Sequence, residues 1–169
     1  MIGSQILWRL SGGSSNTDPT LSLGGVMSSS GIVNNVLQNL FANITSGERA
    51  SGSTKYRCFY IVNSHPTQTL EGAVIYLPLN TPSPGTLISV GLDPTGINGT
   101  AATIPDEDTA PSGVVFDHSP SPDSRETGLL IGDLEAGDSI AVWLRRVTDP
   151  GTASAANDPF TVMVNGDPE

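Results

Sequence analysis

The stretch "DSIAVWLRRVT" (138–148) places Ile140, Val142 and Leu144 on one face of an extended chain and Ala141, Trp143, Arg145 and Val147 on the other. A strand with one wet face would alternate apolar with polar, and here both faces carry apolar groups. The run therefore reads as a central strand covered on both sides, with Arg145 emerging near its end. Just ahead of it, Glu135-Ala136-Gly137-Asp138 supplies a turn with glycine where a positive φ is cheap. That turn predicts a hairpin between "TGLLIGDL" (127–134) and the central strand.

Working outward, the same texture recurs in "KYRCFYIVN" (55–63), "EGAVIYLPL" (71–79), "TLISVGL" (86–92), "GVVFDH" (113–118) and "PFTVMVNG" (159–166). Each run is rich in β-branched and aromatic residues and is bounded by turn formers such as "NSHPTQ", "NTPSPG", "DPTGING" and "DPGTA". Seven short strands at this spacing predict an all-β antiparallel sandwich. The chain divides by texture into an N-terminal arm and packing segment (1–53), poor in charge and rich in Ser, Gly and Asn, and a sandwich domain (54–169).

The whole has 169 residues, a length that suits one domain. Its 19 glycines and 13 prolines exceed the roughly 12% of average usage and are scattered between apolar runs, which implies many tight turns. Acidic residues outnumber basic ones by 17 to 7, for a net charge of −10. The only basic pair, Arg145-Arg146, lies inside a strand-like run, so direct nucleic-acid binding is not expected. The single cysteine, Cys58, alternates with aromatics and reads as a buried thiol, leaving no disulfide or cysteine metal cluster to form within the chain. "MIGSQILWRL" has an apolar patch but neither the basic region nor the long apolar core of a signal peptide or membrane span.

In the first region, "GIVNNVLQNLFANI" sets Val33, Val36, Leu37, Leu40 and Ile44 at helical spacing, with Ser30 as a cap and Gly47 as a stop. Four asparagines and β-branched residues at its start argue instead for irregular packing across an open end of the sandwich. Both alternatives stand. The stretch "LSGGSSNTDPTLSLGG" (10–25) has two Gly-Gly pairs, yet no lysine follows either, so it fails as a phosphate loop. It reads as an extended arm with a turn at Asn16-Thr17-Asp18-Pro19, packing by close backbone approach.

Catalytic chemistry finds little to build on. The two histidines, His65 and His118, sit in turn-like contexts, and Asp117 and Ser119 beside His118 point away from it on an extended chain. Asp106, Glu107 and Asp108 form an acidic cluster, as do Asp93 and Asn98 more loosely, without the spacing of a calcium loop. No cofactor and no metal site is expected.

The strand ending in Asn63, the "TLEGAVIYL" strand and the "GLLIGDLEAGDSIAVWL" segment resemble immunoglobulin-like modules of microbial surface and virion proteins. The whole chain, notably "LSGGSSNTDPTLSLGG", "NLF" and "YRCFYIVN", resembles small structural proteins of tailed bacteriophage virions. The resemblance implies an immunoglobulin-like sandwich with an extended N-terminal arm. It also implies a non-enzymatic particle component in the virion, made in the host cytoplasm: a capsid decoration (cement) protein, or alternatively a tail or baseplate receptor- or carbohydrate-binding module. The expected partners are a major capsid protein or other virion proteins and further copies of the chain, with no nucleic acid and no membrane. The arm residues expected to make contact are Ile6, Leu7, Trp8, Leu10, Gly12, Gly13, Leu21 and Leu23. The alternative reading of "QILWRL" is the domain's first strand, and both hold if that strand pairs with another chain.

Overall fold

Seven strands in two antiparallel sheets appear in the computed structural model, which describes residues 5–119, 121–155 and 158–168. They are β1 (Ile6–Leu10), β2 (Ser53–Asn63), β3 (Leu70–Leu79), β4 (Thr86–Ile97), β5 (Leu129–Leu134), β6 (Ser139–Thr148) and β7 (Thr161–Pro168). One sheet runs β1-β2-β6-β4 and the other β5-β3-β7. From β2 onward the chain changes sheet at every connection.

The central-strand reading of 138–148 holds: β6 lies between β2 and β4, and Trp143 is fully buried. Its Ile140, Val142 and Leu144 meet Phe59, Ile61, Ile75, Val90 and Leu134 in the core between the sheets. Ala141 and Trp143 belong to a second cluster on the outer face, with Tyr56, Cys58, Tyr60, Ala101, Ile104 and Phe116, against which Leu23, Met27 and Val114 pack. Loops thus form a third layer over the four-stranded sheet. Burying one tryptophan there contributes roughly 4–6 kcal/mol as an upper bound.

Two expectations are corrected, and one of two open readings is selected. The turn at 135–138 forms, with Gly137 at φ 91° and the Asp138 amide donating to the Glu135 carbonyl at 3.0 Å. It joins two sheets, however, because β5 pairs with β3 while β6 pairs with β2 and β4. The Asn63 carbonyl accepts from the Gly137 amide at 2.8 Å and the Asn63 amide donates to the Asp138 carbonyl at 2.9 Å, tying the turn to the end of β2. Residues 113–118 are loop: Val114 and Phe116 fill the outer layer without a ladder partner, and Val115 faces solvent. "GIVNNVLQNLFANI" takes the irregular alternative, with Asn35 and Gln38 both at φ 58°. The helix of this region is α1 (Ser46–Ser51), so Gly47 starts a helix instead of stopping one. Its capping box joins Thr45 and Glu48 in both directions.

Two buried arginines close one end of the inter-sheet core. Arg57 Nε donates to the Leu40 carbonyl at 2.8 Å and Arg146 donates to the Ala42 carbonyl at 2.7 Å. Both guanidinium groups face the Phe41 ring between those residues, at 5.6 and 4.9 Å from its centre, and Phe160 meets it edge-on at 6.5 Å. Hydrogen bonds and cation–π contacts compensate two cations that would otherwise be costly to desolvate. The residues before Leu40 are thereby held at a fixed point on the surface.

Candidate functional site

The residues expected to contact a partner fall into two groups. Ile6, Leu7, Trp8 and Leu10 form β1, an edge strand paired antiparallel with β2 from Ile6 opposite Asn63 to Leu10 opposite Phe59. Ile6, Trp8 and Leu10 face the core, and the Trp8 and Phe59 rings lie 5.5 Å apart. The outer side of β1 is met by its own chain, where the Leu10 amide donates to the Ser30 carbonyl and the Ile32 amide to the Trp8 carbonyl. The first four residues of the expected arm lie outside the described ones.

The second group, Gly12, Gly13, Leu21 and Leu23, folds back over the sheet. The turn expected at 16–19 falls later in the chain: Asp18 caps a single 3-10 turn at Pro19–Leu21, accepting from the Thr20 amide at 2.8 Å, and Asn16 Oδ1 accepts from the Asp18 amide at 2.9 Å. Buried Ser11 and Ser22 stitch the two halves: the Ser11 amide donates to Ser22 Oγ at 2.8 Å, and Ser11 Oγ bonds the Cys58 carbonyl and the Gly24 amide. Close backbone approach by glycine is real, and it is made within the chain. A Cβ at Gly12 (φ 92°) would collide with the Leu21 carbonyl oxygen, and one at Gly24 (φ 88°) with that of Ala102. Gly13 donates to the Val26 carbonyl at 2.9 Å. Leu23 packs inward, while Leu21 and Val26, on either side of the Gly12-Gly13 backbone, are 58% and 56% exposed.

The polar groups weighed as chemistry serve the fold. His65 Nδ1 accepts from the Thr67 and Gln68 amides at 3.2 and 2.9 Å, and His118 Nε2 lies 3.1 Å from the Val90 carbonyl. Asp117 pairs with Arg145, whose hydrogen bond holds the carboxyl below its usual range. Cys58 is fully buried, and desolvation pushes its thiol well up. Asp93 accepts from the Trp143 indole at 2.8 Å and from Thr95, whereas Asn98 bonds Asp138 instead. In the acidic cluster Glu107 pairs with Arg57 and Lys55, and Asp108 with Lys55 at 2.7 Å. Asp106 accepts from the Asp108 amide and the Thr109 hydroxyl, closing its own turn.

No protein-family model matches the chain, and no curated protein or solved structure matches it.

What the sequence pattern missed is the exposure of Val33, Val36 and Leu37, at 62%, 53% and 72%. Helical periodicity put them on a buried stripe with Leu40, yet of these only Leu40 is buried. A signal was present: residues 19–47 carry no charged side chain in a chain of net charge −10. With Leu21 and Val26 they are five exposed apolar side chains on a stretch that carries no charge.

Proposed function

We propose that the chain is a non-enzymatic virion structural protein, a capsid decoration protein of the tailed-bacteriophage type that binds the outer shell and stabilises it. The observation that carries this reading is the surface around Gly12-Gly13. There Leu21 and Val26 stand more than half exposed on a loop pinned by buried serines and by Gly24. A preorganised apolar patch of that kind loses little entropy on docking. The finer fold reading belongs to the same proposal: an immunoglobulin-like sandwich, with 1–53 acting as its assembly arm. Two antiparallel sheets around one core support it. The alternative of a carbohydrate-binding tail module gains little from the aromatics, since Tyr56, Tyr60, Tyr76 and Trp143 are all buried.

The test is to place the chain in a reconstruction of its native particle and to measure rebinding of a Leu21→Ser/Val26→Ser variant to particles lacking it. Copies across the capsid lattice, and rebinding lost while the circular dichroism is unchanged, are the expected results. Copies confined to the tail tip, or rebinding at the wild-type level, would overturn the reading.

A further inference from the structure

We propose that Asn98 is a modification site governed by the fold: opening of its turn lets the following amide convert it to an acid, and the acid then weakens the closed turn. The chemistry needs this chain and water alone. The Gly99 amide nitrogen gives up its proton and bonds to Asn98 Cγ, the side-chain nitrogen leaves as ammonia, and water opens the resulting cyclic imide to an aspartyl or isoaspartyl residue. The net change is hydrolysis of an amide to a carboxylate, with nothing oxidised or reduced. Glycine leaves the attacking nitrogen unshielded, as it does at Asn165-Gly166, the chain's other such pair. The inference stands apart from the assembly reading.

The fold requires both residues of the labile pair. Asn98 follows β4 at φ 60°, a left-handed conformation that asparagine adopts more readily than most residues. A Cβ at Gly99 would collide with the Thr95 hydroxyl and carbonyl oxygens. In the closed turn every group that must move is bonded elsewhere. Asn98 Nδ2 donates to Asp138 Oδ1 at 2.6 Å, and Asn98 Oδ1 accepts from the Ser139 amide at 3.0 Å. The Gly99 amide donates to the Gly96 carbonyl at 3.1 Å, and the Asn98 amide to the Ser139 carbonyl at 2.7 Å. Asn98 is exposed, so water reaches it and geometry alone restrains the reaction.

The product fits worse than its parent for a specific reason. An acid at 98 keeps an acceptor for the Ser139 amide but sets an oxygen, in place of the Nδ2 donor, against the Asp138 carboxylate. Asp138 is itself held, its Oδ2 accepting from the Glu135 amide at 3.0 Å and its own amide donating to the Glu135 carbonyl at 3.0 Å. Two carboxylates at hydrogen-bond distance repel, in a chain already at −10. The Asp138 carbonyl also accepts from the Asn63 amide, so the ends of β2, β4 and β6 share this clasp. Because the conversion runs one way, it records each molecule whose turn has opened.

The experiment incubates the full chain at one mildly alkaline pH, folded and in urea above its unfolding midpoint, and reads the Asn98 and Asn165 peptides by mass spectrometry after digestion. In urea both are expected to convert at similar rates, and in the folded chain Asn98 is expected to convert at least about tenfold more slowly than in urea. Equal Asn98 rates in the two states, or an Asn98 that stays intact in urea while Asn165 converts, would overturn the proposal. Urea midpoints test the second half. Asn98→Asp is expected to lower the midpoint by about 0.5–1.5 M. In an Asp138→Asn background the same change is expected to cost much less, because an amide at 138 can donate to the acid at 98. An unchanged midpoint for Asn98→Asp, or an equal loss in both backgrounds, would refute the weakening of the closed turn.

Discussion

Replacing Gly24 by alanine tests whether the loop layer is held on the sheet by backbone approach, and Gly13→Ala supplies the control. Both glycines have positive φ, 88° and 110°, so each alanine carries left-handed strain of about 1–2 kcal/mol. They differ in what the new methyl meets. At Gly13 no heavy atom lies within 4 Å, whereas at Gly24 the methyl runs into the Ala102 carbonyl oxygen and comes within 3.1 Å of the Trp143 ring. Neither neighbour can yield easily, since Ala101 is bridged to Gly25 and Trp143 is buried on a central strand. Overpacking of that kind adds about 1–3 kcal/mol. With a urea m-value of about 2 kcal/mol/M, Gly13→Ala should lower the unfolding midpoint by about 0.5–1 M and Gly24→Ala by about 1–2.5 M. Equal shifts for the two variants would show that the Gly24 contact with Ala102 and Trp143 carries no weight, and the account of the outer layer would fail.

Asp93→Ala should strip the buried Trp143 indole of its acceptor and cost about 1–3 kcal/mol, or about 2–12 °C in Tm, while Asp93→Asn keeps an acceptor and loses less. A Tm for Asp93→Ala equal to that of wild type would remove the bond from the list of stabilising contacts. Burial pushes the Glu107 carboxyl up, but hydrogen bonds from Arg57 and Lys55 outweigh it and leave the group below its usual range. A folded pKa below the unfolded value of about 4.3 means the contribution is present above that pH and is lost as pH falls through the folded value. Urea midpoints across a pH series should therefore decline on the acid side, with a shallower decline in Glu107→Gln; parallel profiles would refute the role of the pair.

Strands were legible wherever a period of two ran between turn formers, and six of the seven runs in the second region became strands at nearly the expected places. Pairing was not legible, because it is decided far away in sequence. The Gly137 turn has the local chemistry of a hairpin, yet the end of β2 accepts its backbone and sends β6 into the other sheet. "GVVFDH" failed for a related reason. Apolar side chains that fill a loop layer look, one residue at a time, like those of a strand, and only Gly91, which leaves room for Val114 and Val115, marks the crossing. The helical spacing of Val33, Val36, Leu37 and Leu40 is real, but Asn35 and Gln38 take left-handed turns and Arg57 and Arg146 pull Leu40 to Ala42 into place. Buried arginines inside "KYRCFYIVN" and "SIAVWLRR" leave no mark in an apolar pattern except as interruptions. Of the contact residues named from sequence, Leu21 is exposed, Gly12 makes its close backbone approach to Leu21 inside the molecule, and Gly13 has open space where a Cβ would stand.

The alternation of strands between sheets bears on how the molecule assembles itself. After β2, no strand can pair with its neighbour in sequence, so none of these strands gains a ladder from a local turn. Every ladder there requires closure of a long loop, and that entropy is lost before any pairing compensates for it. Neither sheet is a unit that can form first and wait for the other. Folding should be slow for the chain length and should proceed in one cooperative step, and a nascent chain gains little order until β6 has emerged to join β2 to β4.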